Sequence, residues 1–460
     1  MLPHLPRPVA MNFLFVLPEY SFSGGGISTY YSSLLPALVD AGHSVRVLHG
    51  SNTISQPGGG SVRSNGVTVE IFDSAFHAKY LQLFARYDVA PKLAQHLAAA
   101  WGLWEQAQSG SRADIVEVTD WGLGFLPWLF DARPPLLVQL HGSIGQVAAQ
   151  TPFRGEEIPD SLIQLIELRG LAAADQLQTS SHRNASFWQA QLNRSVDVAR
   201  PLWRPPERAA LPNADRTDKG LVVGRVQMWK GPHVLCEAIQ LLGNRSLHID
   251  WVGRDASLNQ SGDSTAQYLR SAWPEVWGQQ ISWLPPESHA AILDRQRQAA
   301  FVLVPSIWDV FNMTCIEAMS AGTPVICSSA AGASELIQDG TDGFVYGSND
   351  ASELARAIDS FMTMPLSRRR EIGAAAAATV EKALAMSVIL PQRLAFYERA
   401  GAQPAALPLA ADDWLSHIAQ PARDPSESAL HDSLDGLPLH KLLKYSFRRA
   451  LEKAISAIVK

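Results

Sequence analysis

Cysteine is scarce in this 460-residue chain: Cys236, Cys315 and Cys327 lie far apart, none in C-x-x-C spacing and each in apolar surroundings. That pattern excludes a disulfide framework and a cysteine zinc site, and reads as three small buried hydrophobes in a reducing compartment, hence a cytoplasmic protein. An excess of positive charge is also missing. With 38 basic and 44 acidic residues the net charge is −6, which removes the general basic footprint of a nucleic-acid binder. No apolar run approaches the roughly 20 residues of a membrane-spanning helix. The run Val9–Leu17 is too short and lacks a signal-peptide cleavage site, so it reads as a first strand behind a proline-rich leader, residues 1–10. Neither G-x-G-x-x-G nor a P-loop GK[ST] follows that strand, which removes support for dinucleotide binding and for ATP hydrolysis.

What is present is an alternation of short apolar strands with longer helical segments, the pattern of stacked βαβ units. Strands are expected at 12–17, 44–48, 67–71, 114–118, 136–140 and 176–179, with helices at 28–41, 90–108 and 162–172. Residues 199–218 hold four prolines and many charges without a sustained period, and read as a linker centred on 201–218. The pattern then repeats, with strands at 221–223, 247–252, 281–284, 301–304 and 325–327 and helices at 354–362 and 371–381. The length exceeds what one core sustains, so the expectation is two facing doubly wound α/β domains, 11–200 and 219–385. Residues 366–397 should form two helices, the second (386–405) crossing back to the first domain, before an extension over 406–460.

Several residue groups sit where such sheets bind ligands, beyond the carboxyl ends of the strands. Gly24–Gly26 follow the first strand and open a helix; they allow either close approach of a ligand to backbone amides or only a flexible turn. Gly224, Arg225 and Lys230 open the second half, two permanent cations placed to clamp phosphate oxygens or to lie solvated at the surface. His141 ends a buried strand and reads equally as a donor reaching across a cleft or as a structural histidine. Asp120 and Trp121 follow another strand, suited to a polyol against an aromatic face or to an N-cap with a packed ring. Most informative is FVLVPSIWDVFNMTCIEAMSAGTPVICSSAAGASELI, residues 301–337. It reads as strand, polar loop, helix and strand, with Asn312 as N-cap and Gly322 as stop, and it sets Asp309 and Glu317 eight positions apart in one crevice. Paired carboxylates there suit a ligand rich in hydroxyls.

Strand–GRVQMWKG–helix, followed by PSIWDVFNMTCIEAMSAGTPVI and GASELI, resembles the retaining glycosyltransferases of family 4, which have the GT-B fold. The resemblance spans nearly the whole core and implies transfer of a sugar from a nucleoside diphosphate sugar with retention, in the cleft between two Rossmann-like domains. On it, Arg225 and Lys230 neutralise the departing diphosphate, Asp309 and the amides of Phe311, Asn312, Met313 and Thr314 contact the donor sugar, and Glu317 holds the ribose hydroxyls. His141 supports the sugar from the opposite domain, and Gly25 and Gly26 approach the diphosphate or the acceptor. Asp309 stands where the family carries Glu. No D-x-D pair bridges a diphosphate through Mg²⁺ or Mn²⁺, so no metal and no cofactor beyond the co-substrate is expected.

The acceptor, a glycan, a lipid-linked or a small molecule of envelope or exported polysaccharide synthesis, is expected beside Asp120, Trp121 and Glu19. Two other functions stay open: a nucleotide-sugar epimerase using Asp120 and Glu19, and a noncatalytic protein that binds glycans or nucleotide sugars. Residues 438–460 form a basic amphipathic helix, with leucines and isoleucines at helical period against six cations and one acid. It suits either the anionic inner face of a membrane or a protein surface.

Overall fold

The computed structural model describes residues 10–20, 25–87, 90–151, 158–205, 218–243, 246–259, 262–422 and 443. The basic segment 438–460, the leader through residue 9 and Gly24 therefore lie outside the described residues, Leu443 excepted.

Two sheets organise the chain. The first contains β1 (Asn12–Leu17), β2 (Ser44–His49), β3 (Gly60–Ser64), β4 (Val67–Ile71), β5 (Ile115–Thr119), β6 (Leu136–Leu140), β7 (Gln176–Thr179) and β8 (Asp197–Val198), in the order β3-β4-β2-β1-β5-β6-β7-β8. All neighbours are parallel except β3, which folds back on β4. The second contains β9 (Gly220–Val223), β10 (Ile249–Val252), β11 (Ile281–Leu284), β12 (Phe301–Val304), β13 (Val325–Ser328) and β14 (Phe344–Tyr346), all parallel, in the order β11-β10-β9-β12-β13-β14. Strands such as Leu136–Leu140 and Phe301–Val304 are buried along their whole length, because helices cover both faces of a parallel sheet and leave no polar alternation. Each sheet has its strand order reversed at one place, between β1 and β5 and between β9 and β12. Those switch points define the two crevices where a ligand can enter.

The expected strands are present, with boundaries moved by one or two residues. Three were not anticipated, among them β8, which has only two residues. β3, GSVRS, is an exposed glycine-bearing edge with no apolar face, although the Asn65-Gly66 pair after it, at φ of 49° and 79°, is a hairpin signal legible in the sequence. β14 has only three residues, too few to show a period.

The two long helices expected after the second sheet are Leu366–Leu384 and Met386–Gly401, broken at Ala385. Together they are long and apolar enough to cross a bilayer by composition. In the structure each lays one apolar face on the fold. The first buries Ile372, Ala376, Val380 and Leu384 against the second domain, and the second buries Phe396 and Tyr397 in the cluster built on Phe13, Phe15 and Tyr31 of the first. That crossing is fixed by a buried charge. Arg393 donates from Nη2 to both oxygens of Glu117 on β5 (3.1 and 2.9 Å) and from Nη1 to Gln178 (2.7 Å) and Tyr30 (3.2 Å). Tyr31 and Tyr397 donate their hydroxyls to the same Glu117.

Two expected spacers are packed structure. The start of the linker buries Leu202 and Trp203 on the second domain, where the Trp203 indole donates to Ser320 (2.8 Å); residues 206–217 lie outside the described residues. Residues 406–422 complete the first domain: the helix Trp414–Ala419 buries Leu415 and Ala419, and Trp101 donates to the Ala419 carbonyl (2.7 Å). Polar composition hid this segment because most of its bonds are made by backbone carbonyls, which carry no sequence signal.

Candidate active site

The crevice between β9 and β12 collects the cations and carboxylates of the second domain. β9 is followed by Gly224, whose carbonyl accepts the Trp251 indole N–H (2.9 Å), and Arg225 then projects as an exposed side chain with no ion pair among the described residues. Lys230 and Gly231 follow in a short 3-10 turn. Gly231 has φ of 74°, and a Cβ there would lie 1.8 Å from the Pro305 carbonyl oxygen, so only glycine permits the turn to press on the loop after β12. That contact delivers Lys230 to Asp309. Their Nζ and Oδ2 stand 2.5 Å apart, and Nζ also sits 4.3 Å above the Trp229 ring.

Asp309 is held further by Asn312, whose Nδ2 donates to the same Oδ2 (2.8 Å) while its Oδ1 caps the Cys315 amide (3.1 Å). Both recorded bonds fall on Oδ2, which leaves Oδ1 for a ligand hydroxyl. The capped helix, Met313–Ser320, begins at this point, so its first-turn amides at Met313 and Thr314 have no helical acceptor and give the crevice a positive end. Phe311 is buried beneath them.

Glu317 projects from that helix and is almost entirely buried. Its Oε1 lies 2.9 Å from His289 Nε2 and its Oε2 accepts from Gln296 Nε2 (3.3 Å), both on the helix His289–Gln298. The hydrogen bond to Glu317 raises the pKa of His289 against the opposing effect of burial. The carboxylate is thus oriented before any ligand arrives. Neither His289 nor Gln296 stood out in the sequence, since a helix joining two strands carries polar residues for many reasons and only the fold turns these two toward Glu317.

Across the boundary, His141 ends β6. Its ring packs edge-on against Tyr30 and Tyr31 at 4.8 and 5.7 Å, and its Nε2 is buried without a hydrogen-bond partner among the described residues. Burial, followed by the nearby Arg393, pushes its pKa down to about 3, so the ring is a neutral donor and acceptor at any ordinary pH. The Gly142 backbone, at φ of 115°, approaches the second domain so closely that a Cβ would stand 3.1 Å from Trp308 and 3.5 Å from Val310. The segments carrying His141 and Asp309 therefore meet.

Asp120 does not face an acceptor. It is fully buried and accepts the amides of His141 (2.9 Å) and Gly142 (3.1 Å), so it sets the path of that loop. Burial raises its pKa to about 7 against the lowering by those amides. Sequence position could not distinguish a carboxylate at the mouth of the crevice from one turned inward under it. Glu19 accepts the Gly25 amide (2.9 Å) and fills the space a Cβ on Gly25 would need, while Gly26 is open. Trp121 is partly exposed and lines a shallow recess at the β1–β5 switch point with Leu17, Asn52, His96 and Leu103. His96 is pushed down to about 4 by burial and then by Lys92. Trp128, further along the same segment, is core. Among the described residues no group of three or more His, Cys, Asp or Glu side chains could hold a metal ion.

Comparison with known proteins agrees with this geometry. Residues 25–217 match the glycosyl transferase 4-like domain and residues 204–379 match the glycosyl transferases group 1 family, so the two models together span both sheets except β1. The chain is 28% identical over 395 residues to a D-inositol 3-phosphate glycosyltransferase of Arthrobacter sp. strain FB24, covering 81% of this chain and 90% of that one. Its fold is similar to sucrose-phosphate synthase from Thermosynechococcus elongatus (TM-score 0.63, 18% identity, 84% of this chain and 98% of that chain). It is similar also to Anabaena HepE in complex with UDP-glucose (TM-score 0.59, 17% identity, 85% and 100%). The chain belongs to the group 1 glycosyl transferases and has their GT-B fold, two Rossmann-like domains around one cleft.

Proposed function

We propose that this glycosyltransferase is a retaining, metal-independent enzyme of family 4, moving a hexosyl group from a nucleoside diphosphate sugar to a hydroxylated acceptor. The observation that carries the reading is the ion pair of Lys230 and Asp309 at the β9–β12 switch point, beside the first turn of Met313–Ser320 and opposite the unpaired His141 nitrogen. The chemistry follows from charge. As the bond from the anomeric carbon to the diphosphate breaks, negative charge grows on the phosphate, and Lys230, Arg225 and the amides of Met313 and Thr314 are positioned to stabilise it. Lys230 needs no metal to do this, because Asp309 already orients it. Glu317 accepts the ribose hydroxyls with an oriented carboxylate. Asp309 Oδ1 and His141 Nε2 hold the donor sugar from opposite sides. With Asp309 assigned to Lys230 and the sugar hydroxyls and Glu317 to the ribose, the acceptor hydroxyl attacks on the face the diphosphate leaves, and a phosphate oxygen takes its proton.

The acceptor enters from the first domain, in the recess beside Trp121, whose ring face suits the CH groups of a sugar or cyclitol. The D-inositol 3-phosphate relative and the UDP-glucose complex of HepE make a uridine donor and a cyclic polyol the first combination to try. We place the enzyme in the cytoplasm, where its three unpaired cysteines stay reduced, with 438–460 resting on the anionic inner face of the membrane.

The test incubates the purified chain with UDP-, GDP- and ADP-sugars and a panel of cyclitols, sugars and lipid-linked glycans, with and without chelator. Transfer that survives chelation and keeps the anomeric configuration, read by NMR of the product, is expected. Inversion, or dependence on a divalent ion, contradicts the mechanism; nucleotide-sugar binding without turnover on any acceptor favours a binding protein.

A further inference from the structure

The helix His182–Leu192 belongs to the first domain, yet its N-terminus is completed by the second. Glu335 reaches across and accepts the amides of His182 (3.0 Å) and Arg183 (2.8 Å), the first two orphan donors of the helix. In return, Ser181 donates its hydroxyl to the Val310 carbonyl (2.7 Å) and caps its own helix at the Asn184 amide (3.3 Å). Val310 is the residue after Asp309. The flanking carbonyls are bound from within the second domain, that of Asp309 by the Gly332 amide (3.1 Å) and that of Phe311 by the Ala333 amide (2.7 Å). Three successive carbonyls of the donor loop are therefore fixed, and among the described residues the middle one is fixed only by the other domain.

Space is reserved for this contact. A Cβ on Gly332 would lie 2.2 Å from the Val310 oxygen and 2.5 Å from the Ser181 Cβ, so glycine at 332 admits Ser181. Gly142 does the same from the first domain against Trp308 and Val310. Ser181 and Val310 are buried, so water does not replace the bond while the domains touch.

We infer that Ser181 and Glu335 are positioning residues that set the Asp309 loop in its reacting geometry only when the two domains close. The inference rests on the assignment of Asp309 and Lys230 to the transfer step. An open enzyme keeps Glu317, Arg225 and Lys230 on one domain and still binds the nucleotide. It loses the Ser181 bond to Val310, and with it one of the three carbonyl restraints on the loop that carries Asp309, whose Oδ2 anchors Lys230 and whose Oδ1 faces the sugar. Glu335 supplies the counterpart, a carboxylate whose favourable interaction with the helix N-terminus exists only in the closed arrangement. Closure and alignment are thereby one event, and a donor bound to the open form is not exposed to attack by water.

The decisive variant is Ser181→Asp. Aspartate keeps the helix cap, because it is as good an N-cap as serine, but replaces the donor facing Val310 with an acceptor. The full chain, wild type, Ser181→Asp and Glu335→Gln, is compared in turnover, in calorimetric affinity for UDP, GDP and ADP, and in small-angle scattering with the bound nucleotide. The expected result is kcat reduced at least tenfold in Ser181→Asp, nucleotide Kd within threefold of wild type, and scattering that reports a more open average shape in both variants. A helix merely damaged by substitution would lower the melting temperature without that split, and Ser181→Ala, which loses cap and clamp together, calibrates it. Unchanged kcat and unchanged scattering in Ser181→Asp overturn the inference, as does a loss confined to nucleotide affinity. If the wild type binds nucleotide and transfers no sugar, the transfer reading falls, and the scattering comparison alone still decides whether these residues hold the domains closed.

Discussion

Replacing Glu317 by glutamine tests the donor site at its most buried point. The substitution conserves shape, so the helix Met313–Ser320 and its packing remain, and the change is confined to charge and to one oxygen that becomes a donor. The Glu317 Oε1 pairs with His289 at 2.9 Å and its Oε2 accepts from Gln296 at 3.3 Å. A hydrogen bond to a charged group contributes about 1.5–3 kcal/mol and a neutral one about 0.5–1.5 kcal/mol, so losing the ionic character toward His289 costs about 1 kcal/mol of fold stability. The effect on the nucleotide is larger. A ribose diol offers two donors to a carboxylate, while an amide oxygen accepts them weakly and the amide nitrogen turns a donor toward a donor. The expected loss is about 2–3 kcal/mol, or roughly 30- to 150-fold in Kd. Isothermal titration with the nucleoside diphosphate of the preferred donor measures this directly, and proton NMR of the His289 ring should show its pKa falling toward the ordinary histidine range. Affinity within threefold of wild type would refute the assignment of Glu317 to the ribose.

Other outcomes follow from the same contacts. Arg393→Met leaves Glu117 charged in the core with only Tyr31 and Tyr397 as donors, and urea unfolding should show a loss of about 3–5 kcal/mol; Glu117→Gln added to it should restore part of that loss, and no recovery would show that packing dominates. Because the His289 pKa is raised in the fold, its stabilisation is complete below the unfolded value near 6.5 and fades as pH rises through the folded value. The melting temperature of the wild type should therefore fall between pH 6 and 8 by more than that of His289→Gln, and parallel curves would sink the pairing. Gly231→Ala, forced into the left-handed region against the Pro305 carbonyl, should destabilise by about 1–3 kcal/mol and reduce turnover further by displacing Lys230, whereas near-normal kcat would mean that the turn does not place the cation.

How much was legible beforehand depends on the kind of signal each residue carries. Buried parallel strands such as 136–140 and 301–304 announce themselves as apolar runs because nothing polar is tolerated on either face. Asn312 as a cap is local, decided within four residues, and it is where expected. The exposed edge β3 and the packed tail 406–422 were missed because their stability comes from backbone partners far away in the chain. Asp120 shows the opposite failure: its position beyond β5 was right, but a rotation into the interior makes it the holder of His141 and Gly142 rather than a ligand to anything outside.

By itself the sequence determined the periodicity of two doubly wound domains, the residue types at their strand ends and the order of those residues along the chain, since each is set by interactions within one βαβ unit. Only the tertiary structure decided that Lys230 meets Asp309, that His289 and Gln296 orient Glu317, that Arg393 ties the crossover helix to Glu117, and that Ser181 and Glu335 join the two halves. These contacts link residues 21 to 276 positions apart, brought together by strand order and by close approach at Gly231, Gly332 and Gly142. Local patterns do not encode such distances, and burial of both sheets under shared helices does.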